Sequence, residues 1–472
     1  MASTGSLVLR SSIIAALGGL LFGFDTVVIS GGIGDIVEEY GLSSAQEGFT
    51  VASALIGTII GAMCVGKPTD WYGRRPVMML LAVLFTVSAI GCAFAWDWWS
   101  LLGFRLIGGL GIGGASVVSP MYICEIAPAS RRGRLGMLAQ FNIVLGILVA
   151  FVSNYIVASI GFGENTWRWM LGVETLPALA YLLLLFWVPE SPRWLVARGR
   201  DDEARGVIER VGTDQGRSVV EEVLAIEQSL ATERAGLREP FFQRRYLKPI
   251  MLAFAIAAFN QLSGINAILY YATRIFESAG FGESAALLNG VGLGLVNLIF
   301  TMSAMFFIDR FGRKSLMLVG SFGYIVTLAA TAVVFFTQTE MVANGQGEMV
   351  RRITSSSGGM VVFVALCLFI AAHAFGQGAV LWVFISEVFP NAVRARGLAL
   401  GSWTHWVFAA AIGQSFPMIA DRAGGWVFAF YAVCMLGQLV WVLLVMPETR
   451  NVPLEEIGEN LGIGGPGTDT PA

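Results

Sequence analysis

An all-α membrane protein of twelve transmembrane helices, in two pseudo-symmetric six-helix bundles, is the fold class this sequence predicts. Three observations carry that expectation. Of 472 residues, 56% are hydrophobic and only 13% charged, where soluble domains run near ~25% charged. Twelve apolar runs of about 20 residues are each long enough to cross a bilayer. Three pairs of short polar motifs recur in the same order in the two halves, as expected of a duplicated six-helix unit.

In chain order the spans fall at 13–33, 48–66, 76–95, 99–123, 137–160 and 170–188, then at 249–276, 285–307, 315–337, 360–385, 395–420 and 424–446. This divides the chain into a first bundle at 1–190, a helical linker at 191–248, a second bundle at 249–447 and a tail at 448–472. The first run is too long for a cleavable signal and flows into Asp25 with no small-residue cleavage site, so it is expected to be retained as a span. Within the linker, Val219, Val223, Ile226 and Leu230 recur at three- and four-residue steps with acidic residues off the stripe, the pattern of a surface helix. Residues 201–211 are a second, weaker helix. The tail's last residues, Gly465 to Ala472, have a composition that favours disorder.

Cations cluster in alternate connections: Lys67, Arg74 and Arg75; Arg131, Arg132 and Arg134; Arg310, Arg313 and Lys314; Arg394 and Arg396. The opposite set holds Asp35, Glu38, Glu39 and Asp97, with Arg351 and Arg352 in its longest member. Basic loops stay inside, so both termini are expected in the cytoplasm and the linker helices on the inner face, with the cell's inner (plasma) membrane as the location.

The repeats sit at the basic ends. Asp70-Trp71-Tyr72-Gly73-Arg74-Arg75 after span two answers Asp309-Arg310-Phe311-Gly312-Arg313-Lys314 after span eight. Glu125 with Arg132 answers Glu387 with Arg394 at the same spacing, and Pro189-Glu190-Ser191 answers Pro447-Glu448-Thr449. Local ion pairs and a gate that opens and closes both account for these charges.

A net charge of −3 suggests no nucleic-acid partner. The five cysteines lie at irregular spacing in apolar runs, without a pairing or metal pattern. Gly109-Leu110-Gly111-Ile112-Gly113-Gly114 spells a nucleotide fingerprint but lies inside a membrane helix with no preceding strand, where it means close helix packing. No P-loop, zinc spacing or nucleophile elbow is present, so neither an enzyme nor a cofactor or metal is expected.

Polar residues inside the spans are costly and point to function. Asp25 in span one, Arg105 in span four and Glu174 in span six are the buried charges of the first half. Burial favours the protonated acid and a nearby guanidinium favours the carboxylate, so a movement of Arg105 would load or release a proton; a permanent ion pair joining three helices is the alternative. The run Phe259-Asn260-Gln261-Leu262-Ser263-Gly264-Ile265-Asn266-Ala267-Ile268-Leu269-Tyr270-Tyr271 places amides, a hydroxyl and two phenols in apolar surroundings. Neutral amides that donate and accept suit an uncharged polyhydroxylated ligand. They equally suit interhelical hydrogen bonding.

Gly73-Arg74-Arg75, Arg105 with Gly108 and Gly109, Pro189-Glu190-Ser191-Pro192-Arg193-Trp194, Gln261 with Gly264-Ile265-Asn266, and Pro447-Glu448-Thr449 together resemble the major facilitator superfamily, and within it the sugar porter family. The resemblance covers nearly the whole chain and is closest to bacterial proton–sugar symporters, more distantly to animal facilitative glucose transporters. It implies the major facilitator fold, two bundles rocking about a central sugar site. The function it implies is monosaccharide uptake, of a hexose in the first instance, by a monomer in a lipid bilayer.

For the sugar, the resemblance implies Gln140, Asn260, Gln261, Asn266 and Asn297 as amide ligands, with Trp382 and Trp406 as aromatic surfaces. His405 stands where relatives often have Gln or Asn, and some fructose-preferring relatives share it. Asp25, Arg105 and Glu174 match positions used for proton coupling; the animal uniporters carry an amide at the Asp25 position, so a carboxylate favours symport. Tyr270 and Tyr271 resemble an outer gate. Asp70, Arg74, Arg75, Glu125, Arg132, Glu190, Asp309, Arg313, Glu387, Arg394 and Glu448 resemble a cytoplasmic latch between bundles. Two departures stand out: Trp71 where the family usually has Arg, and Gly376-Gln377-Gly378-Ala379 without the usual Gly-Pro before Trp382. His373 is expected to be a packing residue. The other readings of this fold are facilitated sugar or polyol diffusion and a non-transporting sugar sensor.

Overall fold

The computed structural model describes residues 4–213, 217–236, 239–343 and 349–450, with single positions 452, 457, 461 and 463 beyond. The expectation for Gly465 to Ala472 therefore lies outside the described residues. The chain forms two compact units, Met1–Arg234 and Ala235–Ala472.

The first unit is helical throughout. Its spans are Thr4–Tyr40, Ser44–Cys64, Arg74–Ala93, Trp98–Ile126 and Ala129–Ile160, followed by a sixth crossing broken into Thr166–Gly172 and Thr175–Leu184. Capping sets two of the starts: Ser43 and Gln46 exchange side-chain and backbone bonds ahead of span two, and Asp97 and Ser100 do so ahead of span four. Spans two and four cross on small residues. A Cβ on Gly57 or Gly61 would strike the carbonyls of Leu106 or Leu110, and one on Gly109 or Gly113 those of Ala54 or Thr58. The glycine pattern is thus a helix crossing, as read from the sequence.

The linker contributes helices Pro192–Ala197, Asp201–Val211 and Val219–Gly236. Trp194, Leu195, Ala204, Val207, Ile208 and Val223 join the same core as Val8, Ile14 and Tyr122 of the spans, and Val219, Ile226 and Leu230 pack against it. The apolar stripe read from the sequence is the face of this helix that meets the bundle.

In the second unit, span seven runs as Leu247–Leu262, Ile265–Tyr270 and Ala272–Ser278. Spans eight and nine are Glu283–Phe311 and Arg313–Gln338. An antiparallel hairpin that hydropathy did not announce follows, Thr339–Ala343 with Met349–Ile353, pairing Glu340 with Arg352. Span ten is Ser356–His373, a π-helical turn at Ala374–Gly378, then Ala379–Val388.

Eleven stretches among the described residues are separately long and apolar enough to cross a bilayer. The twelfth is contained in the last helix, Arg394–Leu444, whose 51 residues would extend ~77 Å if straight, more than twice a ~30 Å hydrocarbon core. Its neighbours show that it turns back. Phe408 meets Phe254, Gly413 and Phe416 meet Tyr271, and Asp421 meets Arg274, so this segment runs parallel to span seven. Beyond the corner the order inverts: Tyr431 lies on Gly264 and Trp441 on Phe259. Residues 394–421 and 424–444 are therefore two antiparallel spans, giving twelve. Exposed apolar side chains such as Leu80, Leu176, Phe306, Val326 and Leu444 coat the helices, a surface suited to lipid.

Candidate functional site

Span seven breaks where its polar residues gather. Gly264 takes φ +83, the left-handed region open to glycine, and a Cβ there would run into the Tyr431 ring. The break ends one helix at Leu262 and starts the next at Ile265, and brings amides from both sides of it together. Gln261 Nε2 donates to Asn260 Oδ1 at 2.9 Å and lies 3.2 Å from His405 Nδ1; Asn266 Nδ2 donates to Gln261 Oε1 at 2.9 Å. His405 lies between two indoles, with ring centroids 5.6 Å from Trp382 and 4.8 Å from Trp406. Amides and an imidazole beside indole faces can hydrogen-bond hydroxyls and pack an apolar C–H surface. Trp382 is 38% exposed while Trp406 is 5% exposed, so Trp382 has the more open face.

Asn297 is buried and its described bond is from Thr301 of its own helix, at 3.3 Å. Gln140 is half-buried in the first unit. Tyr270 and Tyr271 are both buried; Tyr271 donates to Gly413 O at 2.9 Å and stacks on Phe416.

In the first unit Arg105 Nη1 bonds Asp25 Oδ1 at 2.7 Å, both side chains being about 3% exposed. Glu174, equally buried, lies close enough to feel both charges. Among the described residues, Asp25 Oδ2, Arg105 Nε and Glu174 Oε1 have no hydrogen-bond partner. One guanidinium neutralises one carboxylate, so two acids around it reach neutrality with one bound proton. Such a cluster can take up or give up a proton as Arg105 moves. Sequence reading missed Ser88 and Cys92, which adjoin it: a Cβ on Gly108 would lie 2.5 Å from Ser88 Oγ and 2.6 Å from Asp25 Oδ2.

The repeated motifs form matching assemblies in the two halves. Arg74 binds Glu125 through two bonds of 2.8 Å, while the backbone N–H groups of Arg74, Arg75 and Ser191 donate to Glu190. In the second half Arg313 binds Glu387 at 2.7 and 3.2 Å, and the N–H groups of Arg313, Lys314 and Thr449 donate to Glu448. Gly73 and Gly312, at φ +100 and +88, leave room for Glu190 and Glu448. Burial pushes the Glu190 carboxyl above its ordinary range, opposed by the three N–H donors. Asp70 adds a longer contact to Arg74 at 3.7 Å, Arg132 is exposed, and Arg394 donates to Phe389 O at 3.4 Å. The side chain of Asp309 lies outside the described residues.

A second polar chain went unread in the sequence. Tyr324 OH lies 2.9 Å from His373 Nδ1 and 3.3 Å from Gln377 Oε1, Gln377 Nε2 donates to Gln438, and Gln438 Nε2 donates to Ser321 Oγ at 2.8 Å. Gln377 belongs to the π-helical turn, where Gly376 lies against Gly320. The signal was present as a glutamine in an apolar run, but its partners were not. No cluster of potential metal ligands occurs among the described residues, and all five cysteines are free.

Comparison with known proteins fits this layout. The model of a family described as "Sugar (and other) transporter" matches residues 11–461. A glucose transport protein of Synechocystis is 36% identical over 462 residues, covering 95% of this chain and 97% of that protein. An arabinose-proton symporter of Bacillus subtilis is 38% identical over 456 residues, covering 95% and 94%. A solved structure of the xylose transporter XylE from Escherichia coli, partially occluded and inward open, superposes with TM-score 0.82 at 32% identity, over 95% of this chain and 100% of that one.

Proposed function

This chain belongs to the sugar porter family of the major facilitator superfamily, and from that premise we propose that it is a proton-coupled monosaccharide carrier, with a hexose as its first substrate. It is a multi-pass membrane transporter rather than an enzyme. The reading places it in the inner (plasma) membrane with both termini in the cytoplasm, working as a monomer by alternating access.

The observation that carries proton coupling is the buried Asp25–Arg105 pair with Glu174 beside it. A carboxylate at this depth is expensive unless paired or protonated, so its two states differ in which charge Arg105 satisfies. Sugar binding rests on the Gln261, Asn260, Asn266 and His405 cluster with Trp382 and Trp406. Gln140 and Asn297 complete the ligand set. Tyr270 and Tyr271 cover the site from outside, and the motif charges at the basic ends, including Arg132 and Arg394, gate the cytoplasmic side. The relatives include carriers named for glucose, arabinose and xylose, which supports a sugar and leaves hexose against pentose to experiment.

Proteoliposomes under an inward pH gradient should concentrate labelled D-glucose, D-xylose or L-arabinose. Asp25→Asn should abolish accumulation while keeping counterflow exchange. Accumulation that survives Asp25→Asn would remove the residue from coupling. A parent protein showing counterflow but no pH-driven accumulation would make it a facilitative carrier. One that binds labelled sugar yet shows neither would be a sensor.

A further inference from the structure

We infer that an anionic phospholipid binds in a groove between the start of span one and the end of span six, its phosphate on Arg10 and an acyl chain along the apolar walls. The inference holds whichever sugar and coupling ion the carrier uses.

The groove has a volume of about 840 Å³. One wall is a single face of span one, on which Ser6, Leu9, Arg10, Ile13 and Ile14 recur at three- and four-residue steps. Leu184 and Trp187 of span six form the other. Leu9, Ile13 and Trp187 are 49%, 45% and 60% exposed while Ile14 is 4% exposed, so the walls are open to lipid and the floor is closed.

The Arg10 guanidinium reaches across to span six, where Nη2 donates to Trp187 O at 3.4 Å. Arg75 covers the two preceding carbonyls of the same turn, bonding Leu185 O at 3.1 Å and Phe186 O at 2.9 Å. Since Arg75 belongs to the connection after span two, the groove opens at the basic end of the bundle. Arg10 stands just before the apolar run at 13–33, at the level where hydrocarbon gives way to headgroups.

Capping the carbonyl end of span six accounts for part of both arginines. It leaves most of Arg10 unused, because a guanidinium carries five N–H donors and the bond to Trp187 O is long. Among the described residues Arg10 meets no carboxylate. Glu190, the acid nearest to this turn in sequence, is held by the backbone N–H groups of Arg74, Arg75 and Ser191.

A lone arginine at a helix end can snorkel into water. Here the cation instead borders a two-helix groove walled by Leu, Ile and Trp, which offers both halves of a phospholipid their own surface. The guanidinium fork matches phosphate oxygens, the exposed Ser6 hydroxyl one turn away adds a donor, and the walls accept a chain. Basic pockets between spanning helices hold anionic headgroups for this reason. Phosphatidylethanolamine brings a cation along with its phosphate, which Arg10 and Arg75 oppose; phosphatidylglycerol brings none. Bound there, the lipid joins the ends of spans one and six and stabilises the first bundle by mass action.

The full chain in a neutral detergent is titrated with phosphatidylglycerol, phosphatidylethanolamine or inorganic phosphate. Bound lipid is counted by native mass spectrometry and the melting temperature is followed in parallel. The parent should bind phosphatidylglycerol at least ~tenfold tighter than phosphatidylethanolamine, the scale of one hydrogen bond to a charged group, and should melt at a higher temperature with it. Inorganic phosphate should leave the melting temperature unchanged. Arg10→Gln should abolish the preference and leave binding of phosphatidylethanolamine as in the parent. Leu9→Gln, on the open wall, should weaken both lipids by a similar factor. Lys67→Gln, which removes an exposed cation outside the groove, should behave as the parent does.

A parent-like preference in Arg10→Gln would overturn the site. An equal loss in Lys67→Gln would reduce it to diffuse attraction between a basic face and anionic lipid, and stabilisation by inorganic phosphate would make it an anion site without a lipid. Should Arg10→Gln not fold, Leu9→Gln decides, because unchanged affinity for phosphatidylglycerol would mean that no chain lies in the groove.

Discussion

At the scale of single residues, Gln261 is the hub of the candidate sugar site, because its amide meets Asn260, His405 and Asn266 at once. Gln261→Ala removes one ligand and frees three others from their orientation. We predict a KM in counterflow raised ~tenfold, the scale of one net hydrogen bond of about 1–1.5 kcal/mol, with Gln261→Asn intermediate. Gly264 is a backbone requirement: its positive φ and the Tyr431 ring both oppose a side chain. Gly264→Ala should cost about 1–3 kcal/mol and lower the melting temperature in detergent. The amides were legible as outliers in an apolar run. That His405 would be the residue beside Gln261 was not, since the two are 144 positions apart.

At the scale of elements, the bends have identifiable causes. Span seven breaks at Gly264, and span ten carries a π-helical turn, a feature often found near functional sites. The run ahead of Trp382 departs from the Gly-Pro usual in the family, and in the structure Gln377 of that turn is tied to Tyr324 and Gln438. Gln377→Leu strands buried partners and should cost about 1–3 kcal/mol per orphaned group, read as a lower melting temperature together with an altered KM if the turn positions Trp382. The end-of-bundle assemblies invite a parallel test. Glu190 accepts from three backbone N–H groups and Glu448 from four, so Glu190→Gln and Glu448→Gln, which turn an acceptor into a donor, should both destabilise, by comparable amounts. A large loss in one alone would mean that the duplicated motif has diverged in role.

At the scale of the whole chain, hydropathy located twelve crossings, and the charge asymmetry of the loops assigns their direction. Fluorescent-protein fusions after Arg450 and within 199–213 should fluoresce in the cytoplasm, whereas an alkaline phosphatase fusion within 94–98 should be active outside. The reverse pattern would invert the proposed topology. The compact units divide at Arg234, and the linker as far as Val223 shares the first unit's core. Its apolar stripe made that packing readable as a buried face, though composition did not say which bundle would cover it.

What the sequence by itself determined is the number, length and order of the spans, their duplication and the family. These depend on local hydropathy, loop charge and short motifs, all of which survive without knowledge of any contact. Only the tertiary structure decided which polar groups meet: Arg105 with Asp25 across 80 positions, Gln377 with Gln438, Ser119 and Tyr181 around Gly18. The reason is physical. In lipid every helix satisfies its own backbone, so the rotation of one helix against another rests on side-chain fit and a few buried hydrogen bonds, and an apolar run does not encode its own rotation.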